Sequence, residues 1–232
     1  MPVFSLTDEV IFPSPELAGE DGLLAVGGDL GMERLLKAYA LGIFPWYSDG
    51  SPVLWWSPDP RLVLFPDELK VSRSMRRLIK KEEFKVTFDM AFEDVIENCA
   101  VVHKNDDGGT WITDDMISAY VNLHYSGFAH SVEIWHKEEL AGGLYGVSMG
   151  NAFFGESMFT LRSNASKVAF VKLVERLRRY DFKIIDCQVT TAHLKSFGAR
   201  EIRRTEFMTI LRSAVPAPSP SRMWGEPGER TM

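Results

Sequence analysis

Cysteine is scarce in this 232-residue chain: only Cys99 and Cys187 occur. They do not form a CxxC pair and are too few for a disulfide framework, so reduced thiols are expected. The five histidines (His103, His124, His130, His136 and His193) show no paired ligand spacing, and neither a metal nor any other cofactor is predicted. No uncharged apolar run reaches membrane-spanning length, and the opening MPVFSLTDEVIFPSPE lacks the basic and continuously apolar regions of a signal peptide. These absences predict a cytoplasmic protein without membrane contact. A basic excess is also missing: 26 Lys and Arg face 32 Asp and Glu, for a formal net charge of -6. That balance argues against a polyanionic partner for the molecule as a whole, although it can conceal a local patch. Gly27-Gly28 and Gly142-Gly143 fit neither GxGxxG nor GxxxxGK[ST], and no GxSxG elbow exists, so no nucleotide cradle or serine hydrolase site is read.

What the chain does have is 45% hydrophobic residues, enough to bury a core in one large domain or two unequal ones. Asp29 is placed to cap an amphipathic helix running to about Leu41, with Leu35, Leu36, Tyr39 and Ala40 at helical spacing and Gly42 as its stop. The following GIFPWYSDGSPVLWWSPDPR is dense in Pro, Gly and aromatics and reads as turns joined by short extended pieces. Its tryptophans suit either a small packed core or an aromatic platform for a substrate. From Val71 a helix is predicted with two unlike sides. Val71, Met75, Leu78 and Ile79 share one arc, whereas Arg73, Arg76, Arg77, Lys80 and Lys81 occupy the other, with no acidic residue until Glu82. In an acidic protein, such segregation favours a phosphate-tracking surface over a merely solvated face.

Downstream, a strand from Phe84, a helix FEDVIENCA and a helix opened by Thr113 precede three strand-like segments, HSVEIWHK, ELAGGLYGVSMG and NAFFGESMFT. Their charged or Gly-Asn turns predict an antiparallel meander. A helix from about Ser163, the apolar strand KIIDCQV, a short helix, the strand REIRR and a last helix follow. From Val215 the Pro- and Gly-rich tail is predicted to be disordered. In the apolar strand, Asp186 and Gln188 lie two residues apart and project to one side. Such a carboxylate is either a buried structural partner or a functional group, since burial without pairing is costly. Glu156 in FFGESMF stands in the same position, and Cys187 reads as an inert thiol.

The strings GLLAVGGDL, AYALGIFPWY, LWWSPDPR, GTWIT, YGVSMGNAFFGESMF, NASK and IIDCQV, in this order from about Phe12 to Leu211, resemble the signature segments of the bacterial leucyl/phenylalanyl-tRNA–protein transferase family. The resemblance implies an α+β protein with a small N-terminal domain, residues 1–61, and a domain similar to the GNAT-type N-acetyltransferases, residues 62–214. A mixed, mostly antiparallel sheet flanked by helices would form the latter, followed by the tail 215–232. It implies transfer of Leu or Phe, less readily Met, from aminoacyl-tRNA to proteins beginning with Lys or Arg, marking them for degradation. Apart from the resemblance, a monomer working without a cofactor is expected.

By position, Asp186 and Gln188 match the family's catalytic pair and Glu156 its acidic GES residue. Trp46 and Trp111 match positions that hold the aminoacyl-adenosine end. Leu144, Phe153, Met158 and Ile185 match the side-chain pocket, Leu144 standing where some members carry Met. Arg73, Arg76, Arg77, Lys80 and Lys81 correspond to the tRNA-binding patch. Thr191 departs from the Asn that some members carry there. In the mechanism expected from these residues, the Gln188 carbonyl accepts from the attacking amine while Asp186 orients that amide. The rivals are an acyl-CoA-dependent N-acetyltransferase, against which FTLRSNASK offers no glycine-rich phosphate nest, and a non-catalytic tRNA-binding protein.

Overall fold

The computed structural model describes residues 3–107, 111–217 and 223–224. Two sheets organise the chain. The first has four short strands, β1 (Phe4–Leu6), β2 (Leu23–Gly27), β3 (Phe44–Pro45) and β4 (Leu54–Trp56), in the order β1-β2-β4-β3. The Pro- and Gly-rich stretch thus yields only two- and three-residue strands, as its composition predicts. Helix α1 (Met32–Ala40) packs beside them and buries Leu35 and Tyr39. Asp29 does not cap this helix, whose N-cap is Gly31; instead its carboxylate accepts from the Gly31 amide at 2.7 Å and from the Arg34 Nε at 3.1 Å. Arg34 is fully buried and also donates to the carbonyls of Thr7, Asp8 and Glu9, fastening the segment that follows β1 to α1. The helix stops at Gly42, whose φ of 66° lies in the left-handed region where glycine carries no steric cost. A side chain there would also fall 2.8 Å from the ring of Phe207. The bare backbone is what lets the last helix approach.

The second sheet has seven strands: β5 (Arg61–Leu64), β6 (Lys85–Phe88), β7 (Ala129–His136), β8 (Glu139–Met149), β9 (Ala152–Thr160), β10 (Ile184–Gln188) and β11 (Arg200–Ile202). Their order is β11-β5-β10-β9-β8-β7-β6. The meander β7–β9 is antiparallel as its turns predict, and the one parallel pairing among the described strands of this sheet, β9 with β10, is joined by helix α5 (Ala165–Arg179). Helices α3 (Phe92–Asp107), α4 (Asp114–Tyr125) and α7 (Arg204–Ala214) share a core with the small sheet and α1. Helix α5, the buried Met75 of α2 (Arg73–Lys80) and the residues beside the short α6 (Ala192–Ser196) form a second core. The chain is therefore a mixed α+β fold with a helix-covered sheet. No helix among the described residues is long and apolar enough to cross a membrane.

The tail departs from its predicted disorder at two residues. Met223 is fully buried in the α5-side core, and the Trp224 ring stacks on His130 with centroids 4.0 Å apart. Apolar burial at these two positions outweighs the disorder-promoting Pro and Gly around them. Residues 218–222 and 225–232 lie outside the described residues.

Candidate active site

Every residue of β10 is buried, including Asp186 and Gln188. A carboxylate in such a place needs a partner, and the neighbouring strand supplies one. Arg61, the first residue of β5, grips Asp186 bidentately, with Nε to Oδ1 at 2.8 Å and Nη2 to Oδ2 at 2.6 Å, and both side chains are 1% exposed. The Arg61 guanidinium is sandwiched between the rings of Phe44 and Phe207, 4.7 and 4.8 Å from their centroids. Asp186 Oδ1 accepts a further bond from the backbone N–H of Gln188, at 2.9 Å. This bond holds Gln188 at a φ of 60°, a left-handed conformation that few non-glycine residues adopt, where the register of β10 against β5 slips.

The Gln188 side chain is held by a different carboxylate. Its Nε2 donates to Glu156 Oε1 at 2.9 Å. Glu156 is also approached by two phenols, Tyr39 to Oε1 at 2.8 Å and Tyr120 to Oε2 at 3.1 Å, and the two phenols touch each other in a short hydrogen bond. The triangle needs three protons, and the phenols bring only two. A proton on Glu156 supplies the third, since the carboxyl can then donate to Tyr120, Tyr120 to Tyr39, and Tyr39 back to Glu156. Burial, the largest cause, pushes the Glu156 carboxyl up to about 7 despite the bonds from Tyr39 and Tyr120, and the charge of Asp186 pushes the same way. Both phenols are raised well above their ordinary range, first by burial and then by the charge of Glu156, and remain donors.

A stability prediction follows from the direction of that shift. A carboxyl whose folded-state pKa is raised favours the fold below its ordinary pKa, and its contribution falls as pH climbs from about 4.5 through about 7. Glu156→Gln mimics the neutral acid and removes this dependence. Urea unfolding at pH 5 to 8 should therefore show wild-type stability falling relative to the variant, by up to about 3 kcal/mol. Parallel pH profiles would contradict a neutral Glu156 at low pH.

Gln188, Asp186 and Glu156 open onto a cleft of about 320 Å³. Its apolar walls include Leu144, Phe153, Met158 and Ile185, extended by Phe170 and Leu173 of α5, while Trp46 and Trp111 line it from the loops. The structure thus gathers into one cleft all the residues that the resemblance assigned to catalysis and substrate binding. The tryptophans divide: Trp55 is fully buried in the core shared by the small sheet and the helices beside it, its Nε1 donating to Gly27, whereas Trp46 is 42% exposed and leans on Trp56. Thr191 also lines the cleft, but its hydroxyl caps α6 by accepting from the Leu194 amide at 3.2 Å. An Asn at this position can make the same cap. The Cys187 thiol is pushed far up by burial and then by the Asp186 charge, which leaves it unreactive.

Arg61, Tyr39 and Tyr120 were not among the residues singled out from sequence. Both tyrosines are buried in the core, as the helical spacing of Tyr39 predicts, and their phenol oxygens turn from that core to Glu156. The five cations of the basic helix lie away from the cleft lining. Arg73, Arg76, Arg77, Lys80 and Lys81 are all exposed, and none forms an ion pair with a described carboxylate. Ser72 caps α2 by accepting from the Met75 amide, so Met75 faces the core and the cations face out.

The chain is similar to known proteins in fold and in sequence. In overall fold the chain is similar to FemX, with a TM-score of 0.50 at 12% identity over 75% of this chain and 67% of that one. It is 60% identical to the leucyl/phenylalanyl-tRNA–protein transferase of Syntrophobacter fumaroxidans, over 97% of this chain and 96% of that protein. It is 54% identical to the protein of the same name from Myxococcus xanthus, over 97% of each. The profile of the leucyl/phenylalanyl-tRNA protein transferase matches residues 63–212, and that of the N-terminal domain of this transferase matches residues 28–59. With the whole of the cleft inside those two matches, the chain belongs to the leucyl/phenylalanyl-tRNA–protein transferase family.

Proposed function

We propose that this protein moves Leu or Phe, and less readily Met, from aminoacyl-tRNA onto the N-terminal amine of proteins that begin with Lys or Arg, a step that marks them for degradation. The observation that carries the reading is an amide poised in an apolar cleft. With Gln188 Nε2 committed to Glu156, the carbonyl oxygen of the same amide is the group left to accept from an incoming amine. The ester on tRNA is already activated, so neither ATP nor a metal is needed. The amine nitrogen attacks the ester carbon, the bond to the ribose oxygen breaks, and that oxygen leaves with a proton as the 3′-hydroxyl. An α-amino group ionises near pH 8, so a weak acceptor such as Gln188 suffices to hold its neutral form in line.

In this reading the carboxylates divide the work differently from the sequence expectation. Asp186, clamped by Arg61, fixes the backbone of Gln188, while Glu156 orients its amide. Leu144, Phe153, Met158 and Ile185 enclose the donor side chain, and Trp46 and Trp111 offer π-faces to the terminal adenosine. The cations of α2 track phosphates of the tRNA body. We read residues 1–61 as a small domain that presents Trp46 and residues 62–214 as a GNAT-type catalytic domain, working as a monomer in the cytoplasm. A GNAT-type fold also suits acyl-CoA chemistry, but α5 is entered through Arg162-Ser163-Asn164, with no glycine nest for a pyrophosphate.

The test is direct. The protein is incubated with Leu-tRNA and peptides starting with Arg, Lys or Ala, and mass spectrometry should find a leucine-sized gain on the basic peptides alone. Gain on all three, or none with Leu-tRNA but acetylation from acetyl-CoA, would overturn the proposal. Separately, reversing Arg76 and Arg77 to Glu should weaken tRNA binding and lower the slope of log affinity against log salt by about 1 for each phosphate that the helix no longer neutralises. Unchanged affinity would make α2 a solvated face only.

A further inference from the structure

The donor pocket has a rear side that the reaction does not explain. Phe153 on β9 forms part of its wall. The far edge of that ring reaches over Gly146 of β8, where an added Cβ would meet Phe153 Cζ at 2.6 Å. Gly146 pairs across the sheet with His130 of β7, and on His130 lies the stacked ring of Trp224. Trp224 also meets Phe153 itself, with centroids 5.9 Å apart and planes inclined at 33°. One aromatic ring thus separates the pocket from the C-terminal tail.

The prop is built rather than incidental. His130 Nδ1 is bonded to Asp89 Oδ2 at 2.7 Å, and Asp89 Oδ1 accepts from the Ser131 amide at 2.8 Å, so the carboxylate that holds the imidazole beneath Trp224 is itself fixed to the strand. Arg176 of α5 donates from Nε to the Met223 carbonyl and lays its guanidinium over Phe88, 4.1 Å from the ring centroid. Phe88 also meets Trp224, with centroids 6.4 Å apart, and Met223 is wholly buried. Sheet, helix and tail all converge on the indole.

We infer that Trp224 determines donor specificity: by buttressing Phe153 it sets how far the pocket's rear wall can retreat, and hence how large an aminoacyl side chain is accepted. This rests on reading the cleft as the donor pocket. Without the indole, Phe153 has room to retreat into the space that Trp224 fills, and the pocket deepens in the direction that a phenyl donor exploits more than an isobutyl one.

The full-length Trp224→Ala variant should raise the ratio of kcat/KM for Phe-tRNA to that for Leu-tRNA by about threefold or more, a modest share of what one methylene can contribute. Trp224→Phe should restore most of the original ratio. A merely structural loss would lower both donors together, and the ratio is read alongside the thermal midpoint. Should Trp224→Ala fold poorly, Trp224→Leu keeps the apolar bulk without the ring and should shift the ratio the same way. Phe153→Ala serves as the reference. If it changes the ratio and the Trp224 variants do not, the inference is wrong and the donor pocket stands. If neither changes it, the pocket assignment has failed and the inference with it.

Discussion

Replacing Arg61 with alanine should remove about 3–5 kcal/mol of folding stability and abolish transfer. Both members of the Arg61–Asp186 pair are 1% exposed, so truncating one leaves the other charged and buried without compensation. The loss is not the net worth of the pair. A double substitution, Arg61→Met with Asp186→Leu, should recover most of the stability, because two apolar side chains of similar volume need no hydrogen bonds there. It should not recover activity, since nothing then holds the Gln188 backbone in its left-handed turn. Urea unfolding of wild type, both single variants and the double variant, with transfer measured on each, checks both parts. An Arg61→Ala protein within about 0.5 kcal/mol of wild type would mean that the pair is solvated in solution.

Gln188→Gly separates chemistry from stability at the next residue. Glycine adopts a φ of 60° without strain, so this substitution keeps the turn and removes only the amide. Folding stability should therefore hold, while the leucine transfer detected by mass spectrometry falls by about 100-fold or more, in line with losing the acceptor that positions the attacking amine. Binding of tRNA should be unaffected. Transfer near the wild-type rate would remove Gln188 from the reaction and leave Glu156 and its phenols as the groups to consider.

Much of this architecture could be read from local pattern. The α2 wheel, the Thr113 cap and the turns of the β7–β9 meander depend on neighbours a few residues apart, and periodicity or turn chemistry reports on such neighbours directly. The isolated charge of Asp186 in an apolar strand likewise announced that it needed a partner. Its identity was hidden, because Arg61 lies 125 positions away and meets Asp186 only when β5 pairs with β10. Tyr39 and Tyr120 are 81 positions apart, and a tyrosine on an apolar helix face looks the same whether its hydroxyl is idle or aimed at a carboxylate. Asp29 fits a cap motif, yet bonds ahead of the helix because Arg34 draws its other oxygen. In the tail, composition averages over many positions and cannot mark the two that find a hydrophobic hollow.

The Arg61 sandwich also bears on biosynthesis. Its two aromatic slices come from Phe44 and Phe207, and the carboxylate it grips arrives between them in sequence. A chain emerging N-terminus first holds one slice early, the anion late and the second slice near the end of synthesis. Translation products that stop short of α7 would therefore leave one face of the Arg61 guanidinium without its aromatic cover.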